Sequence, residues 1–304
     1  MTDEPPWPPQ VVRPFARGEL VVTAQMRAQA FWCLRRFTSL TYARRCGELL
    51  EKFLGGFLGW AGEAPPSRTG FIRATVKSLA TYQEAFEETL PEFLADHPSA
   101  AYGALQVALG LIELEGPAFD DGMAWVEFGS HRRERPATGL FTWAERSVDM
   151  AVRIRMTLAA EWTYTRLLLT PPPYGFRRET FPRRLEPLPA PTGPTLATDE
   201  VVPTTGIWVP SDESRGCPAF LVAGWPAPTL TIEITQIDTP AWPGSASEPA
   251  RPATSEYVYD NEPTKWRLAW TDTRYRAGVE PDESEFLDEE ADLPRHPPVH
   301  PQPS

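Results

Sequence analysis

Three consecutive prolines, Pro171-Pro172-Pro173, divide the chain into two parts with different patterns. No helix can run through them. Each lacks a backbone N–H, and each pushes the residue before it toward extended geometry. The break is broad, because residues 171–194 hold eight prolines and four arginines. That composition predicts an extended, polyproline-like linker over residues 171–198.

Before the linker the pattern is helical. From Glu19 to about Ala61, Leu20, Ala24, Phe31, Leu34, Phe37, Leu49, Phe53 and Phe57 recur at steps of three and four residues or their multiples. Thr38-Ser39 is a natural break and second N-cap within this stretch. A further helix is expected after Ser67, with Phe71, Val76, Leu79, Tyr82, Phe86, Leu90 and Leu94 on its apolar face. An Ala-rich helix follows from Ser99 to about Leu114, and a last one from about Leu140 to Leu169. Residues 19–170 thus read as an antiparallel helical bundle behind a Pro-rich lead-in, residues 1–18.

After the linker the period changes. Candidate strands are Gly206–Val209, Ala219–Ala223, Thr229–Ile237, Ser255–Tyr259 and Lys265–Thr271, separated by Pro, Gly, Asp and Ser clusters. Leu230-Thr231-Ile232-Glu233-Ile234 alternates as a half-buried strand does, and so do Trp266, Leu268 and Trp270. Residues 199–279 therefore read as a small β-barrel-like, SH3-like module. The fold class expected is α+β in two separable domains, with an acidic, Pro-rich tail over residues 280–304, disordered or loosely docked.

Charge divides at the same place. Residues 1–190 balance 22 basic against 22 acidic side chains, whereas residues 191–304 hold seven basic and 19 acidic. The whole net charge of −12 lies in the C-terminal part. An acidic surface steers cationic partners and repels nucleic acid and anionic lipid; a solubilising role is the other reading. The N-terminus has no secretory-signal pattern, and no run approaches the ~18 apolar residues of a membrane span. A cytoplasmic protein is expected, without nucleic-acid or membrane partners.

Chemistry-bearing patterns are sparse. His97, His131, His296 and His300 stand in no rigid, convergent context, and Cys33, Cys46 and Cys217 have no metal-like spacing. Phosphate-cradling glycine loops and a G-x-S-x-G elbow are absent from the sequence. The expectation is a binding protein, with no catalytic residue, cofactor or metal assigned. Trp225 and Trp242 lie in turn-like positions beside prolines. With Tyr275 they are candidate partner-binding anchors, or else covers for the open ends of the barrel. Glu280, Asp282, Glu283 and Glu285 are candidate recruiting charges for a cationic partner.

The segments TGIWVP, CPAFLVAGWPAP and WRLAWTDTRYRAG, behind a front containing FWCLRRFTSLTYARRCGELL, resemble the bacterial families called immunity protein 71 and immunity protein 72. That resemblance implies an antitoxin of a polymorphic toxin or type VI secretion system. Such a protein would bind a cognate interbacterial toxin in the cytoplasm and neutralise it; the alternatives are an effector-loading adaptor or chaperone of a secretion system and an enzyme that reverses toxin damage.

Overall fold

The computed structural model describes residues 11–14, 21–61, 137–169, 180–239, 254–276 and 281–286, together with Lys77, Ala80 and Glu84. Those three residues are helical, as expected for the second predicted helix. The rest of that helix and the Ala-rich helix after Ser99 lie outside the described residues.

Helix α1 (Ala24–Phe37) starts where the Thr23 hydroxyl accepts the Met26 N–H at 3.1 Å. It stops at Thr38-Ser39, as the sequence predicts. There the Ser39 hydroxyl accepts the Tyr42 N–H at 3.1 Å and so caps α2 (Leu40–Ala61). Helix α3 (Ala137–Leu158) ends earlier than expected. Ala160 takes φ of 55°, a left-handed turn that an alanine adopts only against a steric cost. Trp162 folds back and donates its indole N–H to Thr157 at 2.8 Å. A wide π-type turn (Thr165–Leu169) completes the segment. Helices α2 and α3 pack along one another and exchange bonds between Cys46 and Ser147.

The five expected strands are all present, with two more. In chain order they are β1 (Val11–Pro14), β2 (Thr195–Ala197), β3 (Gly206–Pro210), β4 (Ala219–Leu221), β5 (Leu230–Thr239), β6 (Thr254–Glu262) and β7 (Lys265–Thr271). They form two antiparallel sheets among the described residues, ordered β1-β5-β6 and β2-β7-β3-β4, rather than a closed barrel. The lead-in therefore contributes an edge strand. The second half of the expected linker is likewise part of the fold. Phe181 meets Trp32 edge-on at 5.4 Å, Leu185 and Leu188 pack on the larger core, and β2 pairs with β7.

Strand β3 organises the interior. All five of its residues are buried, and alternation sends neighbours to opposite faces. Ile207 joins a core with Phe31, Leu34, Phe53 and Ile154. Trp208 joins a second core with Leu221, Leu230, Ile232 and Trp266. The pairing register explains a departure from the sequence pattern. Ile207 faces Trp270 while Trp208 faces Leu268, so Ala269 is the extra residue of a bulge. The bulge carries Trp270 to the helical side, where it meets Phe31 edge-on at 5.9 Å, away from the face shared by Trp266 and Leu268. Gly206 is obligatory beside it, since a Cβ there would lie 2.1 Å from the Trp270 carbonyl oxygen.

The larger core contains residues of α1, α2 and α3 and also Ile207, Cys217, Phe220, Val222 and Phe286. Helices and strands thus bury one another, in contrast to the expectation of two separable units. Phe31→Ala should cost about 3–5 kcal/mol, the range for a buried phenylalanine. Helical circular dichroism and tryptophan fluorescence should report one shared, shifted unfolding transition. Two transitions, with only the helical one displaced, would contradict the shared core.

Candidate functional site

Two places on the β part concentrate the chemistry of recognition. The first is a knuckle built from two turns. Gly224, with φ of 85°, turns the chain after β4. Asp199, with φ of 70°, turns it after β2. Backbone bonds of 2.8 Å lock the turns together, from Val202 to Trp225, from Ala227 to Glu200 and from Asp199 to Ala227. Trp225 is half-buried, resting against the larger core. Asp199, Glu200 and Pro226 are exposed around it, and Val201 is 67% exposed. An aromatic ring seated on a rigid turn, next to an open apolar residue and two carboxylates, suits a partner with a cationic, partly apolar contact. Sequence reading singles out Trp225 but not Asp199, Glu200 or Val201. The only local signal for these is the run TDEVVP, which reads as any polar turn.

The second place is the end of the described chain, where Tyr275, Asp282, Glu283 and Glu285 come together. Tyr275 and Glu283 do not form a surface anchor and a recruiting charge; both are interior. Tyr275 is 5% exposed and Glu283 is 3% exposed. The Tyr275 hydroxyl donates to Glu283 at 2.5 Å and accepts the Leu40 N–H at 2.8 Å. Glu283 also accepts the Thr41 N–H at 3.0 Å and an Arg274 N–H at 3.3 Å. Burial and the adjoining Glu283 charge raise the Tyr275 phenol above its ordinary pKa, although Arg274 opposes this. The Arg274 side chain is mostly covered too, 10% exposed. Burial alone would lower its pKa, but its hydrogen bond and charge contact with Asp272, 2.6 Å away, outweigh this and keep it charged. Glu285 pairs with Arg35 at 2.9 Å, and Arg35 also reaches Glu186 at 2.6 Å. Of these four, Asp282 faces solvent without a basic partner among the described residues; its carboxyl is lowered by bonds from the Ser284 side chain and N–H. Trp242 and Glu280 lie outside the described residues. Sequence reading missed Asp272 and Arg274, whose short spacing in TDTRYRAG says nothing of Arg274's distant partners, the Arg35 carbonyl and Thr38.

The three cysteines are buried and free. Burial pushes the Cys33 and Cys46 thiols up to about 12, against weaker opposing effects of nearby arginines and, at Cys46, of the Ser147 hydrogen bond. It raises Cys217 as well. Among the described residues no cluster of His, Cys, Asp and Glu is arranged to hold a metal ion, and no helix is long and apolar enough to cross a membrane.

Two outcomes follow. Tyr275→Phe leaves the Leu40 N–H without its acceptor and Glu283 with one donor fewer. It should cost about 1–3 kcal/mol in urea unfolding, and an unchanged midpoint would show that the network carries no stability. A raised pKa keeps each thiol protonated and unreactive at pH 8. A thiol reagent should therefore label none in the native protein and all three after denaturation, and one fast native thiol would contradict the burial.

Comparison with known proteins gives no match to any protein-family model, curated sequence or solved structure.

Proposed function

We propose that this protein is an immunity protein, which binds a cognate interbacterial toxin one-to-one in the cytoplasm and occludes its active site or substrate path. The observation that carries this reading is the charge division. Residues 191–304 hold the entire −12 excess, and Asp199, Glu200, Asp212, Asp260 and Asp282 of that part are exposed. A toxin acting on nucleic acid or nucleotides carries cationic surface. An acidic face accelerates the encounter with such a surface and disfavours the toxin's own anionic substrate as a competitor. The knuckle supplies what charge alone lacks, because Trp225 and Val201 offer apolar area that stays buried after docking. The resemblance of the β segments to immunity protein families 71 and 72 points the same way.

The test is a titration of the full chain against the toxin-domain protein encoded next to it, in a cell-free assay of toxin activity. Inhibition should end near one equivalent. Complete rescue at a small fraction of an equivalent would reveal turnover, and absence of a complex with the toxic domain would reveal an adaptor; either defeats the proposal. Asp199→Lys with Glu200→Lys should slow association by about tenfold at low salt, and added salt should shrink the difference. Trp225→Ala should weaken binding by about 2 kcal/mol or more, with circular dichroism checking that its core-facing side has not been needed for folding.

A further inference from the structure

The segment Pro281–Phe286 sits against the rest of the molecule as a bound peptide sits on its receptor. Its internal polar contacts are local. The Ser284 N–H donates to the Asp282 carboxylate, and the Phe286 N–H donates to the Glu283 carbonyl. Its remaining contacts go to a groove at the elbow between α1 and α2. The Phe286 ring is buried and meets Trp32 edge-on at 6.1 Å. The Phe286 carbonyl accepts the buried Arg36 Nε at 3.0 Å. Glu283 takes the Thr41 N–H, Arg274 and Tyr275, and Glu285 takes Arg35. The Arg35 guanidinium also lies 5.5 Å over the Phe286 ring. The groove therefore offers three guanidiniums, a helix-start N–H and an aromatic seat. The segment answers with two carboxylates, a carbonyl and a ring.

We infer that this elbow groove is a recognition site for an acidic protein segment that carries an aromatic residue, held in cis by the chain's own residues 281–286 and open to a partner segment of the same chemistry. The groove's own demands set the class of partner. Losing the segment strips the Glu283 carboxylate from the Thr41 N–H and Arg274; an aliphatic side chain supplies no acceptor in its place, and a neutral one supplies no charge. A basic segment is disfavoured, because it meets three guanidiniums, two of which Asp272 and Glu186 offset. Only a ligand bringing both carboxylate and ring satisfies the donors and refills the seat of Phe286. The site differs in charge preference from the knuckle at Trp225 and stands whether or not the protein is an immunity protein.

The test uses the full chain carrying Glu283→Gln with Phe286→Ala, which disables the cis ligand and leaves the groove side chains in place. The probe is a fluorescein-labelled peptide with the sequence of residues 280–288, read by anisotropy. The variant should bind it saturably and at least tenfold more tightly than the wild-type chain, whose groove is filled. The same peptide with its phenylalanine replaced by alanine should not bind. Amide hydrogen exchange gives the location, since the peptide should restore slow exchange at Thr41 in the variant. A folded variant that ignores the peptide, equal binding by both chains, or protection that returns elsewhere would overturn the inference. So would a variant that loses its circular dichroism signature, for then residues 281–286 are an inseparable part of the core.

Discussion

Everything in this fold hangs on a strand with no exposed face. Strand β3 buries Ile207 on one side and Trp208 on the other. The first seals the helices to the sheet, and the second seals this sheet to β5 of the other. Such a strand must be long in apolar residues and paired on both edges, and β4 and β7 supply the pairing. Buried indoles also demand hydrogen-bond acceptors. Trp208 finds the Thr204 carbonyl and Trp266 finds the Pro228 carbonyl. The prolines and threonines of the connecting turns are thus not mere punctuation. They present the carbonyls that let large, half-polar rings be buried.

The bulge at Ala269 shows how one extra residue couples the layers. Without it Trp270 would point with Leu268 into the smaller core, and Phe31 would lose its edge-on partner. With it, the end of β7 leans toward α1 and delivers Arg274 and Tyr275 to the α1–α2 elbow. There Arg274 bonds to the Arg35 carbonyl and to Thr38. Buried charges of this kind rarely add much net stability, because desolvation offsets the attraction. Their value here is positional. Arg274 needs Asp272 and Glu283 to neutralise it and the open carbonyls of a helix end to saturate its N–H groups. One arrangement of chain ends meets all of these demands.

Much of this was legible in the sequence, and the illegible part has a common cause. The Thr38-Ser39 break, the core face of α1 and the five principal strands follow from capping chemistry and from periods of 3.6 and 2. These are local signals. What failed was reading segments by composition. Val11–Pro14 and Thr195–Ala197 lie in proline-rich stretches, yet each pairs as an edge strand, a position where a missing N–H is tolerated. Glu283 sits in an acid run that reads as solvated tail, yet it is buried, because it meets the Thr41 N–H of α2, 242 residues away, together with Arg274 and Tyr275 just after β7. Tyr275 failed as a surface anchor for the same reason. A partner more than 200 residues distant leaves no trace in the local pattern.

The placement of Glu283 and Glu285 changes how the acidity of the C-terminal part is to be understood. Nineteen acidic residues are not one undifferentiated field. Asp272, Glu283 and Glu285 are consumed by Arg274 and Arg35, and Glu262 is shared with Arg215. Paired charges contribute less to a long-range field, because a cation within a few ångströms offsets part of them: Asp272 and Glu283 share Arg274, and Glu285 shares Arg35 with Glu186. The steering field comes instead from acids such as Asp199, Asp260 and Asp282, which face water. Asp199 and its exposed neighbour Glu200 stand on the rigid turn that carries Trp225. Attraction at a distance and apolar contact at short range therefore coincide at the knuckle. At the elbow the carboxylates hold residues 281–286 in place, so under the two proposals the surfaces would take ligands of opposite charge.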